Sequence, residues 1–320
     1  MPRGRTGTNS FFNRRRELST SRVSGKRRVV HSRSTGWGRR IWNGVLGLLF
    51  AGVALLAAGW FLLHRWENRR LYHPSAEISQ TPYALHLSSQ AVHFKADDGV
   101  SLSGWWVPAP YPVGSLVVFH SFSGNRSSVL PLLDFFHRCR LNVFLWDYRG
   151  YGDSEGHPSE RGLYRDGLAA LDVAVNMNRF AGKKLPLLFY GHSFGAAVAL
   201  QVAAAHPDRV DGLILEAVPT SVPDLFAVAH PQGASMARHL FSQPYAAVDA
   251  ASRTPGIPKL FLHSTDDSVV PFRLGCLLCA AAADPKQLVR TSGEHSDHAW
   301  MKDDSPALPA VRAFLNGFRE

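Results

Sequence analysis

Apolar residues recur in two different rhythms along this chain. The first is a single unbroken block, IWNGVLGLLFAGVALLAAGWFLL over Ile41–Leu63, 23 residues without a charge. A helix rises about 1.5 Å per residue, so the block matches a hydrocarbon core of roughly 30 Å. Its residues are apolar on every side, and Trp42 and Trp60 stand near its two ends. That pattern predicts a membrane-spanning helix rather than a buried core helix. A cleaved signal sequence is the alternative, with Ala57-Ala58-Gly59 as a weak small-residue site. The long basic leader and the apolar run beyond that site weigh against it.

The second rhythm begins near Val92. Short apolar runs at Ala91–Phe94, Leu102–Val107, Leu116–His120, Val143–Asp147, Leu187–Tyr190, Gly212–Glu216, Lys259–His263 and Gln287–Arg290 predict strands. Helical stretches separate the later ones: Ser127–Arg140, Gly162–Asn178, Phe194–Ala205, Phe272–Ala283 and Pro306–Phe318. Two strand-like runs followed by strict alternation predict an α/β domain. Its central sheet is mostly parallel, flanked by helices, with an antiparallel start. The predicted organisation is a disordered basic tail over 1–40, a transmembrane helix over 41–63, a linker over 64–90 and the α/β domain over 91–320.

Charge sharpens this division. The net charge is +10, but residues 1–40 carry 12 of the 35 Lys/Arg against one acid, Glu17, which leaves the remainder nearly neutral. The tail has no aromatic interleaving and no folded motif, so no nucleic-acid partner is expected; its expected partner is the bilayer that receives the adjacent span. By the positive-inside rule the N-terminus is cytoplasmic and the domain lies on the outer side, periplasmic in a bacterium, although Arg65, Arg69 and Arg70 pull the other way. Three cysteines, Cys139, Cys276 and Cys279, are too few for a disulfide framework. Cys276-x-x-Cys279 lacks a second pair of metal ligands and fits two small residues on one helix face.

Candidate chemistry centres on Gly191-His192-Ser193-Phe194-Gly195, a G-x-S-x-G between the apolar strand LLFY and the small-residue run AAVAL. A turn this tight between strand and helix forces its central residue into a strained conformation and exposes the hydroxyl. The following helix N-terminus directs N–H groups to where negative charge develops on a reacting carbonyl. Ser193 is therefore the candidate nucleophile.

In this context the sequence resembles the α/β-hydrolase superfamily over about residues 90–320. Within it, the likeness is to the membrane-anchored hydrolase-domain subgroup that includes lipid esterases and protein depalmitoylases. The resemblance implies roles for further residues. His120-Ser121-Phe122-Ser123-Gly124-Asn125 is similar to the family's H-G-x-x-G-N loop, with Ser121 in place of Gly. It implies that the backbone N–H groups of Phe122 and Phe194 form the oxyanion hole; His120, at a strand end, is read as a structural hydrogen-bonding His rather than a catalytic one. Asp266-Asp267-Ser268-Val269-Val270-Pro271 matches the acid loop, with Asp267 aligned on Val-Pro, Asp266 one position early, and Ser264 in place of a usual Gly. Gly293-Glu294-His295-Ser296-Asp297 matches G-x-H-x-D and implies His295 as the base, with His298 as the competitor. Asp147-Tyr148-Arg149-Gly150-Tyr151-Gly152-Asp153-Ser154 resembles a structural loop of the family in which Arg149 binds nearby carbonyls or carboxylates.

A serine hydroxyl needs a His to take its proton and an acid to hold that His in one tautomer. The implied function is a serine hydrolase that cleaves carboxylic ester or thioester bonds through an acyl-enzyme, with no metal or organic cofactor. The other class is a membrane-anchored scaffold that kept the fold without the chemistry. Between Glu216 and Lys259 there is room for a helix or two and no large lid; Val218–Ser221 and Phe226–Phe241 are expected to border the pocket.

Overall fold

The computed structural model describes residues 35–180 and 184–318. Most of the predicted tail, residues 1–34, lies outside them. The chain divides into two units, residues 1–57 and 58–320.

Helix α1 spans Thr35–Leu71 and is long and apolar enough to cross a membrane. It starts before Ile41 and ends after Leu63, so it is longer at both ends than the apolar block. Extension of an existing helix adds one hydrogen bond per residue fixed, which carries α1 into flanking polar sequence. Within the second unit its residues are exposed from Ala58 to Leu62, and burial begins with Glu67, which is 1% exposed. Residues 64–90 are thus more than a linker. They hold the end of α1, a two-residue strand at His73–Pro74 and a 3₁₀ turn at Pro82–Leu85, with Tyr72 and Pro82 buried.

Eight strands form the main sheet: β1 (Gln90–Lys95), β2 (Ser101–Val107), β3 (Gly114–Phe119), β4 (Leu141–Asp147), β5 (Leu187–His192), β6 (Gly212–Glu216), β7 (Lys259–Ser264) and β8 (Lys286–Thr291). Their spatial order is β8-β7-β6-β5-β3-β4-β2-β1. β2 runs antiparallel to both β1 and β4, and the remaining pairs are parallel. Strands β3, β5 and β6 are buried along their whole length, as continuous apolar runs require when both sheet faces are covered.

Side chains alternate between the two faces. Val117, Phe119, Phe144 and Phe189 join one core; Leu116, Val118, Val143, Leu145 and Leu188 join the other. The first core is closed by α3 (Glu160–Phe180), α4 (Phe194–Ala205) and α7 (Ala247–Ser252). The second is closed by α2 (Leu130–Arg138) and α9 (Leu308–Asn316). Three short helices, α5 (Val222–Ala229), α6 (Ala234–Leu240) and α7, rather than one or two, occupy the stretch between β6 and β7. Cys276 and Cys279 lie on α8 (Phe272–Ala281) and form no disulfide.

β3 lies between β5 and β4, and the chain passes from β4 across it to β5. Connections leave in opposite directions at such a point, which opens a crevice at the carboxyl ends of the strands. The loops after β3 and β5, which carry Phe122 and Ser193, both start there.

Candidate active site

Ser193 links β5 directly to α4 with φ 56° and ψ −130°. Such a conformation costs about 1–3 kcal/mol in a non-glycine residue and persists only where its surroundings hold it. The two flanking glycines make it possible. A Cβ on Gly191 would lie 2.4 Å from the Cα of Ala196, and one on Gly195 would lie 2.2 Å from the carbonyl oxygen of His120. The elbow is thereby seated on the end of β3. The phenyl rings of Phe122 and Phe194 stack with centroids 5.3 Å apart, so the two loops read as oxyanion donors meet.

The other two site residues come from the loops after β7 and β8. His295 Nε2 lies 2.9 Å from Ser193 Oγ, and His295 Nδ1 lies 2.8 Å from Asp267 Oδ2. Asp267 Oδ1 accepts from the N–H groups of Val269 (2.9 Å) and Val270 (2.7 Å). Burial pushes the Asp267 carboxyl up, but the bonds from His295 and these two amides more than offset it and hold it below the usual range. Asp267 is thus kept as a carboxylate facing His295.

Departures from the family pattern have local uses. Ser264 Oγ donates to the Gly293 carbonyl oxygen over 2.6 Å and accepts from Asp266 N at 3.0 Å, so a hydroxyl stitches the acid loop to the base loop. Asp266 bonds elsewhere, accepting from Gly293 N at 3.3 Å. His120 is buried, its Nδ1 2.7 Å from the Ser121 carbonyl oxygen and its Nε2 3.4 Å from Asp147 Oδ1. Arg149 forms ion pairs with Asp166 (2.7 Å) and Asp98 (2.9 Å).

His298 stands at the start of the 3₁₀ turn Ala299–Met301, and its ring bonds Glu216 rather than Ser193. It belongs to a buried group behind His295 that sequence reasoning missed. Glu216, at the end of β6, accepts on Oε2 from His298 Nδ1 (2.9 Å), from Trp300 Nε1 (2.8 Å) and from the Tyr190 hydroxyl. His192 Nε2 lies 2.8 Å from the main-chain oxygen of His295. Burial pushes the Glu216 carboxyl up, yet the charge and hydrogen bond of His298, with help from His192 and Tyr190, bring it down to about 2. Burial drives His192 down to about 4 against the opposing pull of Glu216. Burial also lowers His298, but its bond to Glu216 leaves it raised. The available signal was a Glu ending a buried strand beside a strand with Tyr190 and His192 on one face; His192 pairs in register with Glu216.

These three side chains are also the one candidate metal cluster among the described residues, with ligand-type atoms within 4.8 Å of one another. Oε2 of Glu216 already accepts three hydrogen bonds, which better fits a polar network than an ion site.

Comparison with known proteins agrees with this architecture. Residues 110–245 match the family model described as serine aminopeptidase, S33, a stretch that holds Ser193 and stops short of Asp267 and His295. The chain is 31% identical to protein bem46 of Schizosaccharomyces pombe over 235 residues, covering 70% of this chain and 77% of that protein. It is 29% identical to the alpha/beta hydrolase domain-containing protein WAV2 of Arabidopsis thaliana, covering 82% and 89%. Among solved structures, the Pyrococcus furiosus esterase Pf2001 superposes with a TM-score of 0.61 at 16% identity, over 78% of this chain and 97% of that one. At that identity the likeness speaks for the fold alone. With the extended match to bem46 and the doubly covered parallel sheet that carries Ser193 on its strand-to-helix turn, this chain belongs to the α/β-hydrolase superfamily.

Proposed function

We propose that the chain is a serine hydrolase that cleaves carboxylic ester or thioester bonds. One observation carries this reading: the unbroken hydrogen-bonded series Ser193 Oγ, His295, Asp267 Oδ2, with legs of 2.9 and 2.8 Å.

In the proposed cycle Ser193 Oγ attacks the substrate carbonyl carbon while its proton passes to His295 Nε2. Asp267 holds the opposite ring nitrogen as donor and stabilises the imidazolium that forms. The carbonyl oxygen becomes an oxyanion received by the backbone N–H groups of Phe122 and Phe194. His295 then protonates the leaving alcohol or thiol, and the acyl group remains on Ser193. A water molecule, deprotonated by His295, attacks the acyl carbon; the bond to Ser193 Oγ breaks, the carboxylic acid leaves, and His295 returns the proton to Oγ. That the Pyrococcus furiosus neighbour is an esterase supports ester chemistry.

The apolar helix α1 supports a membrane-bound enzyme, and tethering favours acyl substrates held in or near the bilayer, lipids or acylated proteins among them. The basic load of residues 1–40 supports a cytoplasmic N-terminus with the catalytic domain on the outer side. A fluorophosphonate probe applied to the full-length protein in membranes tests the chemistry. Labelling should appear in the wild type and vanish in Ser193→Ala together with p-nitrophenyl ester turnover. Labelling that persists in that variant overturns the proposal.

A further inference from the structure

The segment by which α1 joins the hydrolase domain is built against the loop that carries Phe122. Directly after α1, His73 N donates to the Phe122 carbonyl oxygen over 2.8 Å, and Ser75 N donates to the Gly124 carbonyl oxygen over 3.0 Å. The two-residue strand His73–Pro74 pairs in parallel with Ser123–Gly124. The Tyr151 hydroxyl gives the Phe122 oxygen a second donor at 3.0 Å. The Phe122 oxygen is therefore held by both His73 and Tyr151, which fixes the peptide plane that follows the Phe122 Cα; the Phe122 N–H lies in the preceding plane, joined to the fixed one at that same Cα.

The side chains repeat the arrangement. The ring of Tyr72 lies 5.2 Å from that of Phe122, which stacks on Phe194. Tyr245 stands edge-on to Phe122 at 5.1 Å and packs against Phe194 at 5.6 Å. The hydroxyls of Tyr72 and Tyr245 meet at 2.5 Å, and Tyr72 also donates to Gln243 Oε1 at 2.7 Å. Further back, the buried carboxylate of Glu67 accepts from Ser242 Oγ (2.6 Å) and Gln243 N (2.9 Å), which fixes the stretch that carries Tyr245 to the end of α1.

We infer that Tyr72 and His73 are positioning residues for the oxyanion hole, so that the exit of the apolar helix is part of the catalytic cradle. This rests on the reading of Phe122 as an oxyanion donor. Neither residue touches the reacting atoms. They act by fixing the Phe122 ring, carbonyl and Cα, from which its backbone N–H must meet an oxygen that bears full charge only near the transition state. A misplaced donor therefore weakens transition-state binding and leaves ground-state binding nearly untouched.

The test uses the full chain in detergent micelles with a short p-nitrophenyl ester. His73→Pro removes one N–H and keeps an extended backbone. Tyr72→Ala removes the ring, and Tyr72→Phe keeps it. His73→Pro and Tyr72→Ala should lower kcat by about ten- to a hundredfold, the range that misplacement of a catalytic group by an ångström produces. KM should stay within about twofold and the inhibition constant of an alkyl boronic acid, which mimics the tetrahedral state, should rise by the same factor as kcat falls. Tyr72→Phe should recover most of the rate. Leu315→Ala, in the core on the other sheet face, serves as a destabilised control. Wild-type kcat in His73→Pro and Tyr72→Ala overturns the inference. So does a loss in kcat with unchanged boronate affinity, or an equal loss in Leu315→Ala at matched Tm. A wild-type rate that survives Ser193→Ala brings down the hydrolase reading itself, a different result.

Discussion

His192 donates its Nε2 proton to the main-chain oxygen of His295 across 2.8 Å. The residue beside the nucleophile thus holds the loop that carries the proposed base. A carbonyl only accepts, so the ring is fixed with its proton on Nε2, and burial keeps it neutral by lowering its pKa to about 4.

That depression has a sign. The unfolded chain binds a proton at His192 below its ordinary value of 6.5, whereas the folded chain does so only below about 4. Between these limits the unfolded state holds more protons, so the contribution of His192 is fully present above 6.5 and is lost as pH falls toward 4. The raised His298 works in the opposite direction, its contribution lost as pH rises through its folded value. His192→Phe leaves that opposing influence in place and removes the first. Urea midpoints measured from pH 7 to 4 should fall less steeply in His192→Phe than in the wild type. Parallel slopes would show that His192 titrates alike in both states.

Glu216→Gln tests the network behind His295. The carboxylate oxygen accepts from Tyr190, His298 and Trp300 at once, and an amide turned the wrong way would set a donor against donors. Loss of one partner of a buried charged pair costs about 3 kcal/mol. Stability by urea denaturation should drop by that order, and kcat should fall about tenfold with KM nearly unchanged, since the loop that is loosened positions a proton acceptor. An unchanged urea midpoint would remove Glu216 from any supporting role.

Gly195→Ala tests the seating of the elbow. Its new Cβ would come within 2.2 Å of the His120 oxygen and 2.4 Å of the Phe119 oxygen, both backbone atoms. α4 and the loop after β3 would have to separate, which parts Phe194 from Phe122. Ester turnover should fall about a hundredfold, as expected for a displaced catalytic pair. Fluorophosphonate labelling should slow in step. Normal turnover would show that the two loops can part without harm.

What could be read in advance follows the range of each interaction. Leu187–Tyr190, Ser193 and Phe194–Ala205 were legible because strand, elbow and helix are contiguous and each is specified by its neighbours. Strands such as Gly212–Glu216 were legible because burial on both faces leaves an unmistakable apolar run. The polar group of His192, Glu216 and His298 was not, because its members meet only once β5, β6 and the loop after β8 are assembled. The end of α1 was obscured for another reason. Arg65, Glu67, Asn68 and Arg69 look like a solvated stripe, and nothing local shows that Glu67 faces Ser242 and Gln243. Likewise the pairing of His73–Pro74 with Ser123–Gly124 spans too much sequence and too few residues to leave a pattern.

Asp267→Asn offers the sharpest test of the proposed relay, because the surroundings dictate how the amide must sit. Oδ1 of residue 267 lies between two donors, Val269 N at 2.9 Å and Val270 N at 2.7 Å, so the amide oxygen of Asn must take that place. Its NH₂ is then left facing His295 Nδ1, where Asp267 Oδ2 stood at 2.8 Å. An N–H aimed at Nδ1 forces that nitrogen to accept and moves the ring proton to Nε2. Nε2 would then confront Ser193 Oγ as a donor and could no longer take its proton. The fold and the substrate pocket are untouched by an isosteric change, so KM should hold while kcat falls by about 10⁴, as tautomer reversal produces in serine hydrolases. Ester turnover at pH 7 to 9 gives the readout, with circular dichroism as the check on folding. An Asp267→Asn enzyme with more than about a tenth of wild-type kcat would mean that some other group orients His295.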